Sequence, residues 1–402
     1  MMTQLLRKAS ARGRRQIARS WKVVKQRGAR TLFQVPGLSH RDPRRHITRF
    51  KDSCTLVGSL TAEAASLDRY VVVRPPECIR REPPIALNDV DARRFEYSST
   101  KYQLGTSVEL PEVFVASIGP ARLRNPDFLV TSVTGEIYLD SAHGLINVLE
   151  DTGVLHEVLP PKPSVQRGSY VLLASAWSER SYYHWLIDAL PRLSLLDAIP
   201  DGARLPLIVP STLHRYHEES LTAAGVAKSR QIGFTNAVQV DRLYYPGLLS
   251  PTGHTSPHAI RWLRDTFRPH LSTRKPFRRL YVTRRDTRRR ILNEDEIVEF
   301  LLPHGFEVVC PGDMSIFDQV SLFSEAQVIV GPHGAGLTNI VFCPEGATVV
   351  ELFGSNYING CFWAITNLRR QTHAFATFDT DTLDYTASAD RVCELLQKAR
   401  VL

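Results

Sequence analysis

From about residue 170 onward, short apolar runs alternate with amphipathic stretches of helical length. Tyr170-Val-Leu-Leu-Ala-Ser175 and Leu205-Pro-Leu-Ile-Val209 read as strands, while Tyr182 to Leu196 and Thr212 to Gly225 carry helical spacing. A Pro/Gly-rich stretch from Pro246 to Pro257 breaks the rhythm, which returns after residue 278. There the pattern predicts strands over 279–283, 306–309, 327–330 and 347–352. Helices are predicted over 293–302 and 315–326, with a terminal helix over 387–399. Apolar strands alternating with helices predict parallel sheets.

Residues 51–165 are shorter in period and less regular. They contain Pro pairs at 75–76 and 83–84 and a hairpin-like segment from Phe128 to Asp140, and end in a Pro-rich linker, Leu159–Pro163. The expected organisation is an extension over 1–50, a mixed α/β region over 51–165, and two α/β domains over 166–257 and 258–402. Ligands of open parallel sheets bind beyond the carboxyl ends of the strands, so the cleft between these domains is the natural site.

Composition and charge sharpen this picture. With 402 residues, 43% hydrophobic and 23% charged, the chain has ordinary globular composition and enough apolar residues for a sizeable core. That excludes a disulfide-stapled miniprotein, a collagen-like fibre and a wholly disordered chain. The net charge of +9 is unevenly divided: residues 1–50 hold 14 Lys and Arg against one acid, Asp42, a net +13. The other 352 residues hold 36 basic and 40 acidic groups, a net −4, so charge gives no support to a nucleic-acid-binding body. The stretch from Ile17 to Val24 is basic and amphipathic, which fits either a solvated tail or an anionic membrane surface.

The six cysteines are scattered, without the spacing of a zinc site, and read as reduced thiols. No run approaches the roughly 18–20 apolar residues of a membrane helix, and the N-terminus lacks the apolar core of a secretory signal. The expectation is a soluble, intracellular protein.

Two constellations carry chemistry. Val330-Gly-Pro-His-Gly-Ala-Gly-Leu-Thr-Asn339 follows a predicted strand, and Gly334, Ala335 and Gly336 would let backbone N–H groups approach an anion. His333 could add a side-chain hydrogen bond to the same phosphate; the alternative is a plain strand-to-helix turn. The sequence is neither a Rossmann fingerprint nor a P-loop. Thr283, Arg284 and Arg285 end the first strand of the same domain, at the same sheet edge, and guanidinium suits a diphosphate. Arg288, Arg289 and Arg290 read as solvated or flexible. Glu351 ends the strand after the Gly turn, as a ribose ligand or as a surface carboxylate.

In the second constellation, Ser181 to Arg192, His184 and Asp188 stand four apart on one helix face. They read either as an orienting pair with a general base or as a structural hydrogen bond beside Trp185 and Leu186. Two Asp-x-Asp matches, Asp89/Asp91 and Asp379/Asp381, could hold a diphosphate-bound metal, the second pair being the better candidate, but both read more readily as solvated turns. A leaving diphosphate could be neutralised without a metal by the Gly turn and the arginines.

Together, Tyr182-Tyr-His-Trp-Leu-Ile-Asp-Ala-Leu-Pro-Arg-Leu193, Tyr281-Val-Thr-Arg-Arg285, Ile291-Leu-Asn-Glu-Asp-Glu296 and Gly331-Pro-His-Gly-Ala-Gly-Leu-Thr-Asn339 resemble, in order, the motifs of glycosyltransferase family 61. The similarity covers roughly residues 170–355. It implies a GT-B architecture, two facing Rossmann-like domains with an acceptor side and a C-terminal nucleotide-sugar side. It also implies inverting transfer with no bound metal and no cofactor beyond the nucleotide-sugar co-substrate.

On that mapping Asp188 is the first choice for base, with His184 orienting it or contacting the leaving phosphate; the two roles could be exchanged. Arg284 and the turn His333, Gly334, Ala335, Gly336, Leu337, Thr338 and Asn339 would bind the diphosphate, alongside Thr283 and Arg285. Glu351 would hold the ribose. Asn293 and Glu294 match a family motif, though helix capping explains them equally.

The absence of a signal anchor points to the bacterial-type branch, associated with capsule, lipopolysaccharide or other surface glycans. Its acceptors are glycans or lipid-linked glycans at the cytoplasmic membrane face, where the basic head would fit peripheral attachment. Two other readings stay open: an inactive transferase-like module that binds a glycan or nucleotide, and a polysaccharide pyruvyl transferase on a similar frame.

Overall fold

The computed structural model describes residues 47–60, 68–125, 127–152, 154–156 and 161–402. The basic extension expected over 1–50 lies, apart from its last four residues, outside them.

Apolar runs such as Val328-Ile-Val330 are satisfied only in a sheet covered on both faces. They form one. Six parallel strands lie in the order Phe306–Val309, Arg278–Val282, Ala326–Pro332, Thr348–Gly354, Thr372–Phe378 and Ile85–Ala86. Leu280, Val282, Ile329 and Val349 face one core, and Tyr281, Val328, Val330 and Val350 face the other. Helices Glu294–Leu301 and Ala389–Lys398 cover the second face through Ile297, Leu301, Val392 and Leu395. Helices Pro257–Thr266, Ile316–Ser324 and Cys361–Leu368 cover the first through Leu263, Phe323 and Phe362. Ser315 stops the second of these from fraying, its Oγ accepting the Asp318 N–H at 3.0 Å.

The strand order reverses between Arg278–Val282 and Ala326–Pro332, because the chain leaves the first toward one edge and the second toward the other. Such a reversal opens a crevice at the carboxyl ends of the two strands. Both sequence motifs of this half, Thr283–Arg285 and His333–Ala335, sit there.

The other sheet is mixed and has eleven strands. Ala237–Pro246 runs through its middle, parallel to Ser164–Leu172 on one side. On the other side it is antiparallel to Ala121–Arg124 and Val113–Ile118 along successive halves of its length. Leu207–Ile208 and Gln231–Ile232 extend the parallel edge. The expected hairpin is present as Leu129–Ser132 against Ile137–Tyr138.

Residues 51–165, expected as a region of their own, contribute to both sheets and also form a two-stranded sheet among themselves, Glu77–Arg80 against Ser107–Leu110. Ile85–Ala86 closes the parallel sheet against Thr372–Phe378, while Arg69–Arg74 and Val113–Ile118 build the mixed one. Their irregular look in sequence reflects strands that lean on long neighbours. The sheets also share a core, since Trp185, Leu186 and Leu190 pack in one cluster with Phe323, Leu337 and Phe342. All six cysteines are free thiols. Among the described residues no helix is long and apolar enough to cross a membrane.

Candidate active site

A cleft of about 650 Å³ opens where the two halves meet. One wall carries His143, Trp177, His184 and Thr252; the facing wall carries Arg289, His333, Gly334, Ala335 and Tyr357. Nine non-glycine residues among those described have left-handed backbone, and Gln103, His143, Trp177 and Arg289 of this cleft are four of them. Such conformations are costly and concentrate where a surrounding structure enforces a working geometry.

The first wall rests on an irregular helix. His184–Ala189 is wound as a π turn and Leu190–Ala198 as 3-10 helix. Pro191 has no N–H to give to the preceding turn, and single π turns recur at functional sites. Arg192, fully buried, anchors the segment. Its Nε donates to the Pro246 carbonyl at 2.7 Å, and its Nη1 to those of Leu173 and Ala174 at 2.9 and 3.0 Å.

His184 and Asp188 meet as their spacing predicts, Nδ1 to Oδ2 at 2.7 Å, and Thr252 Oγ1 donates to the same oxygen at 2.8 Å. Asp188 is only 3% exposed, whereas the His184 side chain is 23% exposed. The carboxylate put forward first as base therefore faces inward, and the group free to reach the cleft is the imidazole, through Nε2. Trp177 stands beside it, ring centroids 4.9 Å apart, and packs 5.0 Å from His143. Burial pushes the His143 imidazole down to about 4, so it is neutral.

The second wall follows the strand Ala326–Pro332. His333 is buried among Phe353, Tyr357 and Phe362, and its Nδ1 lies 2.5 Å from Glu351 Oε1. Its Nε2 is left for the cleft. A Cβ at Gly334 would lie 1.5 Å from Nη1 of Arg284, whose side chain crosses the turn and would have to swing aside. Arg284 Nε donates to the Arg288 carbonyl at 2.6 Å; burial, then the like charge of Arg289, pushes the guanidinium down to about 10, so it stays charged. A 3-10 helix, Ala335–Val341, starts here with its first N–H groups lacking carbonyls within the helix. Arg289 completes the wall, its guanidinium 4.6 Å above the Tyr357 ring.

Several residues put forward from sequence lie elsewhere. Glu351 is fully buried behind His333 and cannot touch a ribose; it orients the imidazole instead. Thr283 and Arg285 are spent on Glu294. Thr283 Oγ1 donates to both of its carboxylate oxygens at 2.9 Å and Arg285 Nε pairs with it at 2.5 Å, while Tyr281 OH donates at 2.9 Å. Asn293 ties its helix to the Ala387 backbone, with contacts of 2.8 and 2.9 Å. Leu337, Thr338 and Asn339 are wholly buried, and Asn339 bridges the halves by accepting from Tyr182 OH at 2.8 Å. Gly336 packs against Val282 and Pro311.

Neither Asp-x-Asp pair lines the cleft. Asp379 pairs with Arg94 at 2.6 Å, and Asp91 accepts from the Thr377 N–H at 2.9 Å and Arg391 at 3.1 Å. Among the described residues no group of three or more His, Cys, Asp and Glu side chains gathers to hold a metal ion.

Arg289, read from sequence as solvated or flexible, is a cation of the cleft, beside Lys101 and Arg180; nothing in an Arg-Arg-Arg run distinguishes the one with left-handed backbone (φ 65°). His143, Trp177, Thr252 and Tyr357 were also missed, because each belongs to a loop without periodic pattern.

Residues 182–350 match the model of the glycosyltransferase 61 family. The match covers less than half the chain and includes His184, Asp188, Arg289 and His333, but not His143, Trp177 or Tyr357. The chain is 38% identical over 78 residues to an alpha-1,3-arabinosyltransferase of Oryza sativa subsp. japonica, covering 18% of this chain and 13% of the relative. It is 38% identical over 96 residues to a beta-1,2-xylosyltransferase of the same plant, covering 24% and 19%. An EGF domain-specific O-linked N-acetylglucosamine transferase of Drosophila melanogaster is 29% identical over 104 residues, covering 25% and 20%. The chain thus spans no more than a fifth of the length of these relatives. They are glycosyltransferases of plants and animals, and they give the bacterial surface-glycan branch no support.

Proposed function

We propose that the chain is an inverting glycosyltransferase that moves a sugar from a nucleotide-sugar to a hydroxyl of a glycan or lipid-linked glycan, in a GT-B arrangement and without a metal ion. The observation that carries this reading is the pair of imidazoles across one cleft. His184 and His333 face each other's walls, each with Nδ1 held by a buried carboxyl group.

The acceptor hydroxyl lies against His184 Nε2, which takes its proton as the oxygen bonds to the anomeric carbon. The bond from that carbon to the terminal phosphate oxygen breaks, and its electron pair leaves with the nucleotide. Asp188, fixed by Thr252, offsets the imidazolium charge. Arg289, His333 Nε2 and the N–H groups at Gly334 and Ala335 meet the charge developing on the phosphate. The reversal of strand order beneath the His333 turn supports the nucleotide being on this side.

Cytoplasmic location rests on the scattered cysteines read as reduced thiols, membrane attachment on the +13 charge of residues 1–50, and a role in capsule or lipopolysaccharide synthesis on the motif resemblance. The relatives' names make arabinose, xylose and N-acetylglucosamine the first sugars to try. The test is nucleotide release from nucleotide conjugates of these sugars, with the anomeric configuration of any glycan product read by NMR. His184→Ala should lower transfer by about 10²–10⁴-fold. Full activity in that variant, or a retained anomeric configuration, would sink the proposal.

A further inference from the structure

Behind His333 stands a carboxyl group with no cation bonded to it. Glu351, in the strand Thr348–Gly354, is fully buried with Oε1 2.5 Å from His333 Nδ1. Its Oε2 has no hydrogen-bond partner. His373 Nε2, from the neighbouring strand, lies 3.3 Å from Oε2 but out of line for a bond. The other charged or titratable groups around the pair, Arg284, Arg289, Cys361 and Tyr385, act on it through space.

An ionised carboxylate here would leave one oxygen both desolvated and unbonded, which a protein interior does not tolerate without a partner. The neutral acid carries a smaller penalty, since only an uncharged carbonyl oxygen stays unbonded and its proton fits the short Oε1–Nδ1 contact. Burial acts in the same direction on both groups, raising the Glu351 carboxyl well above its ordinary value and lowering His333 well below. His373 is lowered to about 3 by burial and supplies no charge.

We propose that Glu351 is a positioning residue that keeps its proton and donates it from Oε1 to Nδ1 of His333, so that the ring carries its own hydrogen on Nε2 and presents a donor to the cleft. A neutral imidazole has one donor and one acceptor nitrogen. With Nδ1 accepting, Nε2–H is fixed as the group that meets an incoming phosphate. With Glu351 ionised, a neutral His333 would hold its hydrogen on Nδ1 and turn a bare lone pair toward that anion. The phosphate as beneficiary rests on the transferase reading; the tautomer does not.

The experiment is ¹⁵N NMR of the histidine rings in the full chain, without ligand, near neutral pH. The signal lost in His333→Asn should report a protonated Nε2 and an unprotonated Nδ1. An Nδ1–H or doubly protonated ring overturns the proposal. In Glu351→Gln the amide can donate to Nδ1 as the acid does. That variant should keep the tautomer and hold the affinity for UDP, GDP or CDP within about threefold. Glu351→Ala should lose about tenfold. A Glu351→Gln ring that moves to the Nδ1–H form contradicts the proposal. If none of these nucleotides binds the unmodified chain, the transferase reading fails while the tautomer still decides this one.

Discussion

At the scale of single residues, the cleft works by pinning rings. His184 and His333 each lose the freedom of one nitrogen to a buried carboxyl group, which fixes where the other points. Gly334 shows how little room is left at the His333 turn. Gly334→Ala would put a methyl group into the Arg284 guanidinium, and because that side chain can swing away the fold should survive. Its displacement should weaken nucleotide binding by about tenfold, at a stability cost of about 1–3 kcal/mol. Calorimetric titration alongside urea unfolding separates the two effects; unchanged affinity would show that Arg284 does not support the nucleotide.

At the scale of elements, the irregular helix that carries His184 and Asp188 is anchored by a buried side chain. Arg192 joins the π turn and its 3-10 continuation to the ends of two strands, through carbonyls of Leu173, Ala174 and Pro246. Arg192→Met would leave those carbonyls unbonded, and unfolding should become easier by about 3–5 kcal/mol, read from the urea midpoint. A change within about 0.5 kcal/mol would show that the segment holds itself.

The strands after residue 278 were legible because they are apolar runs closed by Gly, Pro or a capping Ser. Ala237–Pro246, the longest strand of the mixed sheet, was not predicted: Gln239, Asp241 and Arg242 interrupt its apolar pattern. The His184–Asp188 pairing was legible from its spacing. Which of the two faces the cleft was not, because exposure depends on Thr252 and Trp177, which arrive from distant loops. Glu351 looked like a ribose ligand for a related reason: a strand's end in sequence does not say what stacks in front of it.

At the scale of the whole molecule, the shared core and the strands lent by residues 69–124 make the two halves one structure, and its buried histidines give it a pH signature. Burial lowers His143, His217 and His254 to about 4 and His373 to about 3. Unfolded, each titrates near 6.5, so the unfolded chain takes up protons first on acidification. Their contribution is fully present above about pH 6.5 and is lost as pH falls toward 4. The raised carboxyls of Asp127, Asp140 and Glu351 take up protons in the folded state and oppose this trend. His217 isolates one term, since its Nδ1 accepts the His214 N–H at 2.9 Å and cannot do so when protonated. His217→Gln should remove up to about 3 kcal/mol of the difference in unfolding free energy between pH 7 and 4. An unaltered pH dependence would contradict the assignment.

The most direct test of the central claim, that one wall of this cleft holds a nucleotide and the other holds the base, is a thermal-shift titration with UDP, GDP and CDP. Nucleotide binding to the folded state raises the melting temperature by mass action. One nucleotide should stabilise the unmodified chain and His184→Ala alike, and should fail to stabilise Arg289→Ala. Equal stabilisation of Arg289→Ala, or a loss confined to His184→Ala, would place the nucleotide on the wrong wall and contradict the account.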